Sequence, residues 1–555
     1  METGFTPQPE RRSAMIQSGA WNDKLITDYL DKALARTPDH AAIISYQVAT
    51  DTRTTLTYGE LNNKVTRMAA GLANLGIEKG DVVACQLPNW WQTTALHLAC
   101  MRIGAILNPL MPIFRERELR FMLSHGEAKL LVIPGIFRDF DYEAMVDGLL
   151  PELPKLDTLL VIGGKGERSF EQRLLNTAWE KQQDTSALFR ERQPHPDDVI
   201  QILYTSGTTG EPKGVMHTSN TLFANVRPYA DRLHLTAEDK VLMASPLAHQ
   251  TGFLYGIMMP VYLGTTAILQ DIWNADYVCK VIAAEQPTFT MAATPFLTDL
   301  VKAAPNHDGE LDSLRIFVSA GAPIPSAVVE QASNVLKAKI VSAWGMTENG
   351  AVTMTCPEDA AERACQSDGK VLPYMEIRIT DVRGTPLSVG QEGNLMVRGA
   401  SQFVGYLKRP DLFGTNEDGW FSTGDLARMD SNGYIRITGR TKDVVIRGGE
   451  NIPVVEVENL IYTVPGVVDV ALVGCPDERL GERLCAYVTL DDNVIGLTLN
   501  DVTAYLADRK LAKHYLPEYL EVIEAMPRTA SGKIQKFKLR EQAKNIRLAP
   551  ANTRG

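Results

Sequence analysis

The segment Tyr204–Gly214, YTSGTTGEPKG, follows the mostly apolar run 199–203 and combines glycine with hydrogen-bond donors. Glycine allows positive φ angles, so successive backbone N–H groups can turn toward one point and surround phosphate oxygens. Hydroxyls and a lysine add donors and positive charge. The G-x-x-x-x-G-K-[ST] pattern of P-loop proteins is absent, and the alternative to phosphate binding is a flexible linker. The residues predicted to bind phosphate are Thr205, Ser206, Gly207, Thr208, Thr209, Gly210 and Lys213.

This segment resembles the signature loop of the adenylate-forming superfamily, which includes acyl-CoA synthetases, aryl-CoA ligases, luciferases and the adenylation domains of peptide synthetases. The resemblance extends from about residue 25 to about residue 545, and it implies that the chain binds ATP and forms an acyl-adenylate. Four further segments resemble motifs of the superfamily in the expected order, namely WGMTE (Trp344–Glu348), STGD (Ser422–Asp425), GRTKDVVIRGGENI (Gly439–Ile452) and PRTASGKIQK (Pro527–Lys536).

The WGMTE segment is expected to lie beside the triphosphate and the adenine of ATP. Glu348 is expected to hold Mg²⁺, a hard cation that prefers carboxylate oxygens and substrate phosphates. Thr347 can donate a hydrogen bond to the α-phosphate. Trp344 offers an aromatic face for adenine, where relatives more often have a tyrosine. From the residues alone, a strand-ending turn in the core remains the alternative.

Three of the motifs carry charged residues that the resemblance places around the nucleotide. The Asp425 carboxylate is a pure acceptor and suits the two ribose hydroxyls, although taken alone it is more typical of a turn. Arg440 is expected to contact ribose or phosphate and Lys442 to form the hinge, the alternative being a solvated pair on a linker. Lys533 is expected to reach the substrate carboxylate and the α-phosphate, where it would neutralise charge in the transition state.

Further regions of the sequence are expected to line the acyl pocket and the channel for the thiol of CoA. His249, in PLAHQTGF, matches a position that borders the acyl pocket in the family, and it is expected to orient the carboxylate. A lone histidine is otherwise more often structural. Many relatives have glycine in place of Ala320, so its extra methyl group favours a modest acyl group. The residues expected along the two channels are Phe253, Ala320, Gly321 and Gly345 for the acyl group, and Gly448, Gly449 and Glu450 for CoA.

The resemblance therefore predicts an AMP-forming acyl-CoA ligase that uses a carboxylic acid, ATP and CoA, with Mg²⁺ as cofactor. The segments GGENI, DERLGER and PLAHQTGF most resemble the corresponding sequences of bacterial short- and medium-chain fatty acyl-CoA ligases and of cyclohexanecarboxylate-CoA ligase. The alternatives are an adenylating enzyme that loads a separate carrier protein, a luciferase-like oxygenase, and a nucleotide-binding relative without turnover. The identity of the acid, and the choice between monomer and homodimer, stay open.

The elements that must position these residues follow an α/β pattern. Short apolar runs bounded by turns, such as KLLVI, TAILQ and FTMAA, predict buried strands, and the helices between them predict a largely parallel sheet. A helix is predicted to begin near Thr57, with Glu60 completing a capping box. From Met375 onward, short strands with glycine-rich turns predict a β-rich subdomain. The predicted domains are an AMP-binding domain over 1–440 and a mobile α+β lid over 441–555.

Composition excludes several other classes of protein. The formal net charge of −11 and the lack of a Lys/Arg tract argue against a nucleic-acid partner. Seven scattered cysteines without a C-x-x-C pair predict buried thiols in a reducing compartment, and we expect a cytoplasmic protein. The uncharged stretch 250–270 is interrupted by Pro260 and several glycines, so it predicts a buried helix and a core strand and no transmembrane segment.

Overall fold

The computed structural model describes residues 9–205, 212–307, 311–321, 324, 326–416, 418–441, 443–447, 450–452, 454–491, 494, 496–529 and 533–546. Its helices are α1 (Pro9–Gln17), α2 (Ile26–Arg36), α3 (Tyr58–Asn74), α4 (Trp91–Arg102), α5 (Glu116–His125), α6 (Tyr142–Leu149), α7 (Thr185–Arg192), α8 (Ser219–Arg232), α9 (Gln250–Gly252), α10 (Met259–Leu263), α11 (Ala275–Glu285), α12 (Thr294–Ala303), α13 (Ser326–Val335), α14 (Arg363–Gln366), α15 (Val454–Ile461), α16 (Leu499–Asp508) and α17 (Lys536–Ala543).

The strands are β1 (Ala41–Gln47), β2 (Thr52–Thr57), β3 (Val82–Cys85), β4 (Ile106–Pro109), β5 (Ala128–Pro134), β6 (Ile136–Phe137), β7 (Phe140–Asp141), β8 (Thr158–Ile162), β9 (Val199–Thr205), β10 (Lys213–Thr218), β11 (Lys240–Met243), β12 (Thr266–Gln270), β13 (Phe289–Ala293), β14 (Ile316–Ala320), β15 (Lys339–Met346), β16 (Gly350–Met354), β17 (Gly369–Val371), β18 (Met375–Thr380), β19 (Gly393–Gly399), β20 (Gly405–Tyr406), β21 (Phe421–Met429), β22 (Tyr434–Arg440), β23 (Val445–Arg447), β24 (Glu450–Ile452), β25 (Val467–Asp477), β26 (Gly481–Leu490) and β27 (Tyr519–Val522).

Two large sheets and one small sheet organise these elements. A 13-stranded sheet runs β18-β19-β21-β22-β17-β16-β15-β14-β13-β11-β12-β1-β2, and a 7-stranded sheet runs β20-β10-β9-β4-β3-β5-β8. Strands β11 to β15 pair in parallel with their sheet neighbours, whereas β15 to β22 form an antiparallel extension. The predicted α/β class with a β-rich part is confirmed. The strands of the β-rich part extend the 13-stranded sheet beyond β15.

One apolar core joins the inner faces of the two large sheets. Its members come from α3, α4 and α8, which lie between the sheets, and from strands on both sides, among them Val83 of β3 and Val318 of β14. Helix α3 begins as predicted: the Thr57 hydroxyl accepts from the backbone N–H of Glu60, and the Glu60 carboxylate accepts from the N–H of Thr57. The core therefore holds both sheets in one position relative to each other.

The uncharged stretch 250–270 is a buried helical segment followed by β12, as predicted. Its centre, Phe253–Met258, takes the wider π-helical form, which the sequence pattern does not indicate. Within the described part of the chain, no helix is both long and apolar enough to cross a membrane. The seven cysteines are free thiols, and five of them are buried.

The C-terminal region forms a separate small sheet, in the order β24-β23-β26-β25 with β27 beside β26. Helices α15 and α16 cover one apolar cluster of this sheet, and α17 packs on another. The region is a mixture of helices and strands, as the predicted α+β class requires. Strand β22 of the 13-stranded sheet ends at Arg440, and β23 of the small C-terminal sheet begins at Val445. A domain boundary between these strands stays a prediction.

Asn225, in α8, holds together two segments that line a cavity described below, one around Tyr255 and one around Ala351. Its side-chain amide donates to the carbonyl oxygens of Asn349 (3.2 Å) and Ala351 (2.6 Å). Its amide oxygen accepts from the Tyr255 hydroxyl at 2.7 Å. Asn225 is 2% exposed, so these bonds lie away from bulk solvent.

We predict that Asn225→Ala lowers the free energy of unfolding by about 2 kcal/mol or more, because each buried polar group left without a partner costs about 1–3 kcal/mol. Chemical denaturation followed by tryptophan fluorescence measures this. Asn416→Ala is the control, since Asn416 is exposed and accepts one bond from the backbone N–H of Trp420. Equal unfolding midpoints for the two variants would contradict the structural role of Asn225.

Candidate active site

A cavity opens at the carboxyl ends of the parallel strands β13, β14 and β15. Ala293, Ala320 and Ala343 line it from these strands, and the helical segment that begins at Gln250 lines the opposite side. Ligands of open α/β sheets bind at this edge, because the loops that follow the strands converge there. Lys533 reaches the same cavity from the C-terminal region.

Lys533 fits into the cavity because Gly321 has no side chain. A Cβ atom at Gly321, whose φ angle is +89°, would lie 3.1 Å from Cε of Lys533. The backbone N–H of Lys533 donates to the Thr529 hydroxyl at 3.1 Å, and its carbonyl oxygen accepts from the N–H of Thr529 at 2.7 Å. Burial lowers the pKa of Lys533, and Arg440 lowers it further, whereas Asp425 and Glu348 act in the opposite direction.

Glu348 lies in the turn after β15 and is 7% exposed. Its Oε1 atom accepts a hydrogen bond of 2.7 Å from the Tyr406 hydroxyl. Burial raises the pKa of Glu348, and the Tyr406 bond and the charges of Lys213 and Lys533 oppose that rise. Nζ of Lys213 also lies 4.8 Å from the centre of the Tyr406 ring. The buried carboxylate of Glu348 therefore lies near the positive charges of two lysines.

Tyr406 is a functional candidate that the sequence did not reveal. It lies in the two-residue strand β20, opposite Val215 of β10, and no motif includes it. His217 is another: its Nε2 donates to the carbonyl oxygen of Thr347 at 2.8 Å, which holds the turn that carries Glu348. Burial lowers the pKa of His217 to about 4, so the imidazole is neutral at pH 7. Tyr406 and His217 lie in neighbouring strands, β20 and β10, and the fold brings both of them to the WGMTE segment.

Asp425 lies within β21 and not in the turn that was the alternative for this residue. Gly424 before it has a φ of +74°. The Asp425 carboxylate, 4% exposed, accepts from Nε1 of Trp344 at 3.1 Å through Oδ2 and from Nε of Arg440 at 3.0 Å through Oδ1. Burial raises the pKa of Asp425, and Arg440, Lys533 and Trp344 oppose that rise. The carboxylate is thus oriented from two strands.

His249 caps the helical segment at the mouth of the cavity. Its Nδ1 accepts from the backbone N–H of Thr251 at 3.3 Å, so the imidazole carries its proton on Nε2. Burial and the nearby charge of Lys533 lower the pKa of His249 to about 3. His249 is therefore neutral at physiological pH and shares the cavity lining with Lys533.

Other residues that the sequence singled out also line the cavity, among them Ala320, Gly321, Gly345 and Thr347. Phe253 is not among the residues that line it: its ring is fully buried against His97, with ring centroids 4.6 Å apart, and its place in the acyl pocket stays a prediction. From this helical segment the lining includes Thr251, Leu254 and Tyr255.

Of the predicted phosphate-binding segment, 204–214, the structure describes the two ends. Thr205 and Lys213 are opposite each other in the β9–β10 hairpin. Of Glu450 the structure describes the backbone, in β24. The predicted residues that lie outside the described part of the chain are Ser206, Gly207, Thr208, Thr209, Gly210, Lys442, Gly448 and Gly449.

Metal binding at this site would rest on a single protein carboxylate. The described residues contain no group of three or more His, Cys, Asp or Glu side chains that could hold a metal ion. Glu348 faces Lys213 and Lys533, and such a pair of cations suits phosphate oxygens. Mg²⁺ is commonly held by one or two carboxylates together with substrate phosphates, so the donor set fits that ion.

Comparisons with known proteins identify the family. The family model described as AMP-binding enzyme matches residues 30–407, and that of the AMP-binding enzyme C-terminal domain matches residues 456–533. The chain is 36% identical over 543 residues to the medium-chain fatty-acid–CoA ligase of Escherichia coli (strain K12), covering 98% of this chain and 94% of that protein. It is 32% identical over 545 residues to a salicylyl-CoA synthase / salicylate adenylyltransferase of a Streptomyces species, covering 97% of each. The crystal structure of ATP-bound MatB from Rhodopseudomonas palustris superposes with a TM-score of 0.79 at 27% identity, covering 93% of this chain and 99% of that one. The chain therefore belongs to the AMP-binding enzyme family, and the resemblance to adenylate-forming enzymes is confirmed.

Proposed function

We propose that this protein, an AMP-forming acid–thiol ligase, joins a short- or medium-chain monocarboxylic acid to coenzyme A through an acyl-adenylate. The observation that carries the proposal is the position of Lys533 in one cavity with His249, Thr347 and an apolar end. This arrangement supports the proposal, in which Lys533 would lie between the phosphate of ATP and the hydrocarbon of the acid. Alicyclic acids such as cyclohexanecarboxylate belong to the same proposed substrate class.

The lining of the acyl end supports an uncharged acyl group. It contains Leu254, Tyr255, Met291, Phe296 and Ala351. Among the described lining residues of the whole cavity, Lys533 and His249 are the basic side chains, none is an Asp or Glu, and His249 is neutral. A second carboxylate on the substrate would therefore be buried without a partner at this end, at a high desolvation cost. The name of the Escherichia coli relative, a medium-chain fatty-acid–CoA ligase, agrees with this class.

In the proposed first step the substrate carboxylate attacks the α-phosphorus of ATP, and pyrophosphate leaves. Lys533 would neutralise the charge that develops between the carboxylate and the α-phosphate. Lys213 and the hydroxyls of the segment 205–210 would hold the other phosphates. Glu348 would hold Mg²⁺, whose positive charge would neutralise phosphate oxygens. Neutral His249 would orient the carboxylate by donating from Nε2.

The nucleoside would be held by Asp425 and the residues around it. A carboxylate has about four acceptor positions, and Trp344 and Arg440 occupy two of them. The remaining positions suit the two ribose hydroxyls. Because the Trp344 N–H is bound to Asp425, we propose that Trp344 orients this carboxylate in addition to offering a face to adenine.

In the proposed second step the thiol of CoA attacks the carbonyl carbon of the acyl-adenylate; the thioester forms and AMP leaves. In the family the C-terminal domain rotates between the steps. Here, Lys442 would act as the hinge, and Gly448, Gly449 and Glu450 would border the thiol tunnel. With Lys533 inside the cavity, the described arrangement is the one that suits the first step.

The test of the function is release of AMP and pyrophosphate with MgATP and a panel of acids, each with and without CoA. The panel runs from acetate to hexadecanoate and includes benzoate, salicylate and cyclohexanecarboxylate. We expect CoA-dependent AMP release with hydrocarbon monocarboxylates of short or medium length. Acyl transfer to a carrier protein, with none to CoA, would instead establish a carrier-loading enzyme. No AMP with any acid would contradict turnover.

We predict that Lys533→Ala slows adenylation by about a hundredfold or more, since removing one transition-state donor typically costs that much. Transfer to CoA from supplied acyl-adenylate should be nearly unchanged. Pyrophosphate–ATP exchange measures the first step, and thioester formation measures the second. Lys544→Ala is the control, because Lys544 forms a surface ion pair with Glu541. An equal loss of both half-reactions would refute the role of Lys533.

We predict that Trp344→Phe raises KM for ATP about tenfold, the lower range for loss of a hydrogen bond to a charged group. Preference for ATP over 2′-deoxy-ATP and 3′-deoxy-ATP should fall as well, because Asp425 is no longer held toward the ribose. Steady-state kinetics with the three nucleotides measure both. Trp90→Phe, which loses a 2.9 Å bond from Trp90 to Asp271 outside the site, is the matched control. Unchanged ribose selectivity in Trp344→Phe would contradict the prediction.

A further inference from the structure

The acyl end of the cavity has a wall made by one aromatic side chain. Tyr255 lines the cavity and is 1% exposed. It belongs to the π-helical turn Phe253–Met258, so its backbone lies in the middle of the buried helical segment. The side chain faces the cavity on one side and the protein core on the other. A hydrocarbon chain that extends in this direction meets the phenol ring.

The hydroxyl of Tyr255 is held by two partners on different segments. It donates to Oδ1 of Asn225 at 2.7 Å and accepts from the backbone N–H of Ala351 at 3.2 Å. Asn225 is in turn fixed by the carbonyl oxygens of Asn349 and Ala351. The ring therefore cannot rotate away without breaking buried hydrogen bonds, each of which is costly to lose without replacement.

A second ring supports the wall from behind. Tyr229, fully buried, stacks on Tyr255 with centroids 4.0 Å apart and an interplanar angle of 24°. Its hydroxyl donates to the sulfur of Met291 at 3.0 Å, and Met291 itself lines the cavity. Phe289 meets the outer face of this stack edge-on, with centroids 6.3 Å apart. The wall is thus a packed aromatic stack and not a mobile side chain.

The glycine beside the wall has no room for a larger residue. A Cβ atom at Gly350, whose φ is +67°, would lie 2.6 Å from Cγ of Asn225. Ser245, at the same end, donates its hydroxyl to the carbonyl oxygen of Met291 at 3.2 Å. The polar atoms of Tyr255 and Ser245 are therefore bonded within the protein, so this end presents a hydrocarbon surface of fixed depth.

We infer that Tyr255 sets the upper limit of acyl chain length in this enzyme, with the stacked Tyr229 as its support. The inference rests on the proposed function and deepens it. Replacing the ring with a methyl group opens space toward Tyr229, and a longer chain then fills that space. Each methylene moved from water into such a space raises kcat/KM by about fourfold, from the free energy of burying one CH₂ group.

The experiment measures kcat/KM for saturated acids from butanoate to hexadecanoate with wild type, Tyr255→Ala and Tyr255→Phe. We expect the wild type to fall steeply beyond one chain length and Tyr255→Ala to accept acids longer by two or more carbons. Tyr255→Phe keeps the ring and loses the hydroxyl, so it should retain the wild-type length limit while unfolding at a lower temperature. Tyr255→Leu, which keeps a large apolar side chain in the core, replaces Tyr255→Ala if the latter does not fold.

Two results would overturn the inference. One is a wild-type length limit in a folded Tyr255→Ala or Tyr255→Leu variant, and the other is an equal shift in Tyr255→Phe. Failure of the proposed function is distinguishable, because the wild type would then release no AMP with any acid of the series. Activity of the wild type with an unshifted limit in the variants would refute the role of Tyr255 alone.

Discussion

The structure depends on the charge balance around one lysine placed in a largely closed cavity. A buried ammonium group loses hydration, and this loss lowers the pKa of Lys533. The carboxylates of Asp425 and Glu348 compensate from two sides, while Arg440 adds a second cation. The compensation is incomplete, because the pKa of Lys533 stays below its usual value despite these two carboxylates. Phosphate oxygens would supply the missing negative charge, which links nucleotide binding to the position of the lysine.

Sheet pairing is what brings these charges together. Asp425 and Arg440 are opposite each other in the β21–β22 hairpin, and Trp344 reaches the same carboxylate from β15, across three strands of the sheet. Tyr406 reaches Glu348 through the pairing of β20 with β10, which belongs to the other large sheet. The site therefore requires both sheets in one fixed relation. The apolar core between them, built on α3, α4 and α8, maintains that relation.

The parts of this site that could be predicted are those whose chemistry is local in sequence. Glu348, Asp425 and Lys533 stand in short motifs, and the capping box at Thr57 is readable from two residues. Tyr406, His217 and Tyr255 could not be predicted, because their partners are distant in the chain. The position of Phe253 has a local cause. His249 is the N-cap of α9 and has extended backbone angles, so the four-residue spacing does not put His249 and Phe253 on one helix face. Leu254 and Tyr255 line the cavity from the π-helical turn that begins at Phe253.

In the proposed function, selectivity between acids would follow from the hydrogen bonds that polar atoms at the acyl end of the cavity make within the protein. The hydroxyls of Ser245 and Tyr255 are bonded to protein groups, so neither needs a partner from the substrate. A hydrocarbon chain loses no hydrogen bond on entering, and it gains the free energy of apolar burial. An acid with a second charged group would lose hydration and find no counter-charge among the described residues that line the cavity beyond Lys533, which the reacting carboxylate would face in the proposed reaction. Under that proposal, discrimination against charged acids would be a desolvation cost, whereas discrimination by length would be steric and depend on the stacked rings of Tyr255 and Tyr229.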